Sequence, residues 1–224
     1  MRQLRWILVG LAVAIPGSMA WAVPVLVTYA FDSTNATLSI TSPAAISIPP
    51  QGTIEGLIQV TYTGTAPEEI LDGPATLDIF SLSADLDIAT VLFGLPVTLE
   101  GPLDADLVDP ADGTLTGNTL DFGGASGLFH AAGSIVCGGT LCSVVGFTPG
   151  VPRDFDGTAS VPLPLMTVAS LHGTLTGLQF DIGGVAILAN LTFDAPETGR
   201  EVVPEPATAL LLGLAGALAL ARRR

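Results

Sequence analysis

The chain predicts an all-β body, an antiparallel β-sandwich or jelly roll, flanked by an N-terminal signal helix and a C-terminal transmembrane helix. Three observations carry this. Apolar and polar residues alternate with period two through several long runs. Clusters of Gly and Pro separate those runs. Unbroken apolar stretches beside arginines occur only at the two ends.

The N-terminus reads as a secretory signal peptide. Arg2 and Arg5 give a positive start, Trp6 to Ile15 an apolar core, and Pro16-Gly17-Ser18 a break before Ala20-Trp21-Ala22. Small residues at Ala20 and Ala22 predict cleavage after Ala22, with Ala20 as the second option. The two arginines are not adjacent, so this is no twin-arginine signal.

The strands follow. Val25, Val27, Tyr29 and Phe31 open the body. Ile54, Gly56, Ile58, Val60 and Tyr62 alternate with Glu55, Leu57, Gln59, Thr61 and Thr63. Phe80, Leu82, Ala84, Leu86 and Ile88 alternate with Ser81, Ser83, Asp85 and Asp87, and Val185 to Phe193 repeats the pattern. Such spacing puts one apolar face inward. Leu77 and Ile79 are out of phase with Phe80, which predicts a bulge near Ile79. Pro49-Pro50-Gln51-Gly52, Asp72-Gly73-Pro74, Gly123-Gly124 and Thr148-Pro149-Gly150 mark turns. No amphipathic helix is expected between the two ends. One stretch echoes another: Gly113 to Gly124 matches Gly173 to Gly184 at eight of twelve positions, sixty residues apart. That predicts a strand with Gly turns used twice, or a pair of equivalent ligand loops; the step is too long for a solenoid coil.

Charge bounds the partners. All but Glu205 of the 21 acidic residues lie between the two ends, against only Arg153 and Arg200, and the chain has no lysine. Such a surface repels nucleic acid and anionic lipid, attracts cations and favours solubility. Cys137 and Cys142, in Cys-Gly-Gly-Thr-Leu-Cys, predict a structural disulfide across a hairpin-like turn, because an exported chain meets oxidising conditions. A redox pair would have two intervening residues, and a metal site would need more ligands than His130 could add.

Candidate chemistry is sparse. Asp104, Asp106, Asp109 and Asp112 form an acidic cluster that could supply oxygens to calcium, the one cofactor considered, although the spacing is not that of an EF-hand. Thr-x-Thr at Thr61/Thr63, Thr114/Thr116 and Thr174/Thr176 is too irregular for an ice-matching rank. His130 and His172 are the only histidines, and no nucleophile elbow, zincin helix or phosphate loop is present. The expectation is a protein that is not an enzyme. A carboxylate-pair glycan hydrolase and an ice-binding protein stand as distant alternatives.

The tail gives the clearest instruction. Val203-Pro204-Glu205-Pro206 precedes fifteen residues of Ala, Leu, Gly and one Thr (207–221), and then Arg222, Arg223 and Arg224. The prolines place the start of a helix after them. A helix of that length covers about 22 Å, short of the roughly 30 Å bilayer core, and arginine side chains reaching to the interface make up part of the difference. The arginines hold the end on the cytoplasmic side. A GPI signal would end apolar. Pro-Glu-Pro, apolar helix and Arg cluster, in that order, resemble the PEP-CTERM sorting signal, also labelled an ice-binding protein C-terminal domain. The resemblance covers Val203 to Arg224. It implies that an exosortase, an integral-membrane cysteine protease, reads Pro204, Glu205 and Pro206 and removes the tail. It also implies an association with exopolysaccharide and biofilm.

The chain therefore divides into a signal peptide (1–22), an all-β extracytoplasmic domain (23–202) and a sorting tail (203–224). Its expected partners are the export machinery, an exosortase-type enzyme, the membrane through the C-terminal helix before processing, and extracellular polysaccharide, with no nucleic acid. The expected role is structural or adhesive, at the cell surface or in the matrix. The alternative is a carbohydrate- or calcium-binding β-sandwich module.

Overall fold

The computed structural model describes residues 22–203, apart from 43–45, 49–50, 67, 93, 145 and 183–184. The expected signal helix and transmembrane helix lie outside the described residues. Among the described residues, no helix is long and apolar enough to cross a membrane.

The described body is built from strands. In chain order they are β1 (Val23–Asp32), β2 (Ala36–Ser42), β3 (Ile46–Ile48), β4 (Gly52–Ala66), β5 (Glu69–Leu92), β6 (Leu95–Leu107) and β7 (Ala111–Thr116). There follow β8 (Thr119–Asp121), β9 (Ser126–Gly138), a helical turn α1 (Thr140–Val144), β10 (Pro152–Pro162), β11 (Met166–Thr167), β12 (Leu171–Ile182), β13 (Val185–Ala195) and β14 (Glu197–Val202).

These strands pair antiparallel in one hydrogen-bonded sheet that branches at β5. One edge of β5 pairs with β4. Its other edge pairs first with β7, over Gly73 to Leu77, and then with β6, from Ser81 to Leu92. One wing runs β14-β1-β4-β5-β6-β9-β10, and the other β7-β8-β11-β12-β13-β2-β3. One long strand thus belongs to both wings, in the way that a strand switches between packed sheets at a bulge.

The branch coincides with the bulge expected near Ile79. Gln59 pairs with Ile79 and Val60 with Leu77, which leaves Asp78 without an opposite residue. Leu77 and Phe80 therefore both point into the core, while Ile79 is 42% exposed. The Thr61 hydroxyl donates to the Asp78 carboxylate at 2.6 Å and holds the extra residue.

Phe80 lies where the wings meet. Its ring meets Phe129 of β9 edge-on at 5.6 Å and Phe193 of β13 at 5.5 Å, while Phe31 of β1 stacks on Phe193 at 5.7 Å. All four rings are buried. A fully buried Phe side chain contributes about 1.5–3 kcal/mol. Three cross-strand pairs seat an aromatic on a glycine: Phe31 opposite Gly56, Phe155 opposite Gly133 and Phe193 opposite Gly173. A Cβ on Gly56 would overlap the Phe31 ring; one on Gly133 or Gly173 would sit 2.6 Å or 3.0 Å from the partner ring.

The repeated stretch has two fates. In the first copy Gly117-Asn118 turns the chain between β7 and β8. In the second the chain runs on through β12, with only a register shift around Gly177. Both glycines have positive φ, 59° and 80°, and both N–H groups donate to a neighbouring strand's side chain, Asp72 at 2.8 Å and Asn190 at 3.0 Å. The next residue decides: exposed Asn118 suits a turn, whereas Leu178 is buried. The copies are not equivalent loops.

Cys137 and Cys142 are joined by a disulfide, with Cα atoms 5.9 Å apart. Between them lies a short helical turn, α1, in place of the expected hairpin-like turn. Gly139, at φ 95°, reverses the chain into α1. Five residues are too few to show a helical period in sequence. Arg153 covers the Phe147 ring just beyond, 4.8 Å from its centroid.

The chain's two tyrosines face each other in the core. The Tyr29 hydroxyl donates to the Val168 carbonyl at 3.4 Å and lies 3.3 Å from the Tyr62 hydroxyl, which donates to it in turn. Burial pushes both phenols above their ordinary value of 10.0.

This packing makes three predictions. Gly56→Ala should cost about 1–3 kcal/mol in denaturant unfolding, while Gly157→Ala, where a Cβ meets nothing within 4 Å, should stay near wild type. Tyr29→Phe strands the Tyr62 hydroxyl and should cost about 1–3 kcal/mol, more than Tyr62→Phe, which leaves Tyr29 bonded to Val168. The unfolded chain releases its phenolic protons near pH 10 and the folded chain holds them. Stability should therefore be intact below that pH and fall as pH rises above it, and tyrosinate absorbance should appear only with unfolding.

Candidate functional site

The two ends of the described body meet. Strand β14 pairs with β1, from Val25 opposite Val202 to Tyr29 opposite Glu197, and the Val203 N–H donates to the Pro24 carbonyl at 2.9 Å. The predicted signal-peptide cut after Ala22 and the start of Pro204-Glu205-Pro206 thus adjoin neighbouring strand ends. Ala20, the Pro-Glu-Pro residues and Arg222 to Arg224 lie outside the described residues.

The outer face of the first wing is acidic. Strand alternation turns Asp32, Glu55, Asp85, Asp87, Asp104, Asp106, Asp154 and Asp156 outward, all exposed. A concavity of about 700 Å³ crosses β1, β4, β5 and β6 on this face; Asp32, Glu55, Asp104 and Asp106 line it, with Gly56, Ser81 and Ser83 between them. Cross-strand register assembles it: Asp32 lies opposite Glu55, Glu55 opposite Ser83, and Ser83 opposite Asp104. The Thr34 hydroxyl and N–H, at 2.6 and 2.7 Å, hold the Asp32 carboxyl below the usual carboxylate range.

The acidic cluster read from the sequence is not gathered in one place. Asp104 and Asp106 share the concavity, Asp109 follows β6 in a turn, and Asp112 sits on β7, where it accepts from the Thr76 hydroxyl at 3.2 Å. Among the described residues, no group of three or more His, Cys, Asp or Glu is placed to hold a metal ion. His130 lies opposite Asp106, and its Nε2 is 3.0 Å from Asp156. His172 is exposed on β12, opposite Asp194.

The outer face of the second wing is different. Thr174, Thr192 and Thr37 lie in register across β12, β13 and β2, and Thr176, Asn190 and Ser39 form the next rank. The Thr174 and Thr192 hydroxyls are 3.2 Å apart. Thr114 and Thr116 are exposed on β7 of the same wing. Two of the three Thr-x-Thr pairs therefore share a wing; Thr114 lies opposite Asp121, and the rank next to Thr174 and Thr192 is His172 opposite Asp194. The third is bonded into the first wing, Thr61 to Asp78 and Thr63 to the Pro74 carbonyl.

A family model for the PEP-CTERM protein-sorting motif matches residues 202–224. The chain carries this motif, which implies an exosortase-type processing enzyme and points to an exported, surface-directed protein. No curated protein and no solved structure matches the chain.

The crowding of carboxylates in the concavity makes its own test. Asp104→Asn relieves like-charge repulsion, so it should raise the melting temperature at low salt, with the gain vanishing in high salt. A loss of stability, reversed by added calcium, would mean instead that a cation is held there.

Proposed function

We propose that this is a structural or adhesive protein of an exopolysaccharide layer, delivered there by its C-terminal sorting motif and not acting as an enzyme. The single observation that carries the proposal is the motif at residues 202–224. The signal peptide is removed after Ala22, and the helix at 207–221 anchors the chain in the inner membrane with Arg222 to Arg224 on the cytoplasmic side. An exosortase-type enzyme then reads Pro204, Glu205 and Pro206 and releases the body to the cell surface or matrix.

The two wings suit such a layer. The acidic face keeps the released body soluble and repels polyanions, while the uncharged hydroxyl and amide ranks on β12, β13 and β2 can exchange hydrogen bonds with polysaccharide hydroxyls. A second reading, a carbohydrate-binding module, is favoured by the 700 Å³ concavity, whose lining combines Asp32, Glu55, Asp104 and Asp106 with apolar surface from Phe31 and Leu57. Purified host polysaccharide should then raise the melting temperature, and Asp106→Ala should abolish that shift. The absence of a wild-type shift would remove this reading.

Intact mass of the protein from the extracellular and membrane fractions of its host tests the main proposal. The extracellular form should lack both residues 1–22 and the helix after Pro206. A chain that keeps its tail and stays in the membrane would sink the sorting reading and leave a simple anchored ectodomain.

A further inference from the structure

We propose that strand β14 is a detachable strap, and that it must peel from β1 before the processing enzyme can take the Pro-Glu-Pro motif. The proposal rests on the sorting reading above and adds a conformational step to it.

Three features of the body lead here. The first is the lack of a linker. Val202 is paired with Val25, and Val203 is still bonded to Pro24. Only Pro204, Glu205 and Pro206 separate Val203 from the apolar run that starts at Ala207. Three extended residues span about 10 Å. A protease encloses several extended residues on both sides of the bond it cuts. On the anchoring proposed above, a leash of that length holds the folded body against the membrane, where the processing enzyme has to fit.

The second is the character of the strap. No residue of β14 belongs to the hydrophobic core; its ion-paired side chains, Glu197 and Arg200, are each 29% exposed, at the rim opposite Tyr29 and Val27. It is held along one edge by backbone bonds, with the Thr198 hydroxyl donating to the Thr28 carbonyl at 3.2 Å. A bulge between Thr28 and Tyr29 breaks that ladder midway. Elements with few buried contacts occupy the low-stability end of local opening.

The third is that the body does not depend on it. On its other edge β1 is paired with β4 along its whole length, from Val23 opposite Gly64 to Asp32 opposite Glu55. Val25, Val27, Tyr29 and Phe31 stay seated in the core when β14 leaves. Peeling adds six residues, about 20 Å, to the leash. Processing then follows the population of the open form.

A lock tests this. Leu26 and Glu201 lie directly opposite each other and turn away from the core, a spacing that a disulfide can bridge. Wild type, Leu26→Cys alone, Leu26→Cys/Glu201→Cys, and the double variant with a flexible ten-residue Gly-Ser insert between Val203 and Pro204 would be expressed in the native host. The readout is loss of the tail over time, by intact mass, with the cross-link checked in the same spectra. Wild type and the single variant should be processed alike, the locked variant at least about tenfold more slowly, and the insert should restore the rate. Processing of the locked variant at the wild-type rate overturns the proposal. So does a locked variant that the insert fails to rescue, because leash length is then not limiting. Retention of the tail by wild type itself removes the sorting reading, and the strap with it.

Discussion

The architecture depends on one strand serving two wings. β5 can do so because the extra residue Asp78 lets Leu77 and Phe80 face the same core, three positions apart, where strict alternation would send one of them outward. Up to Leu77 the strand pairs with β7, and from Ser81 it pairs with β6. Phe80 then touches Phe31 and Phe129 of one wing and Phe193 of the other. Glycines opposite Phe31 and Phe193 provide the room for those rings to lie across their neighbours. Without the bulge the rings and the branch point would be out of phase with each other.

The same features decide what could be read in the sequence. β1, β4 and the later part of β5 were legible because each has one face in the core and one in water, and the step out of phase at Ile79 marked the bulge. β14 was not: Glu197 to Val202 is exposed throughout, so nothing imposes a period on it. The α1 turn is too short to show one. The concavity was illegible for another reason. Asp32, Glu55 and Asp104 are far apart in the chain, and only the register of β1, β4, β5 and β6 brings them to one surface. The Asp104 to Asp112 cluster failed in the opposite way, since residues close in sequence pass from a β6 strand through a turn onto the other wing.

Charge separates the wings in a way that composition conceals. With no lysine and only Arg153 and Arg200 among the arginines between the two ends, the carboxylates of the first wing have few cations to pair with. Their repulsion is unfavourable to the fold, and cohesion comes from the buried aromatics, the glycine seats and the satisfied tyrosine pair instead. The second wing places hydroxyls and amides in register where the first places carboxylates. The second wing keeps Asp112, Asp121 and Asp194 exposed among its hydroxyls and amides, so the two faces differ in the density of carboxylates and not in their presence.

The pairing of the ends also ties folding to export. Thr198 reaches Thr28 across 170 residues of sequence, so among the described residues β14 is the last strand to emerge, and it closes a loop that spans nearly all of them. Such a contact forms late, since the chain-closure entropy must be met before the pairing contributes. During export the rest of the sheet can assemble around β5 while β14 is still extended and next to the sorting tail. A processing enzyme acting at that stage meets an open strap, whereas one acting after closure has to wait for it to open. On the proposed processing route the order of docking and cleavage sets how long the body stays tethered, and a strand that adds no residue to the hydrophobic core is suited to keep that choice reversible.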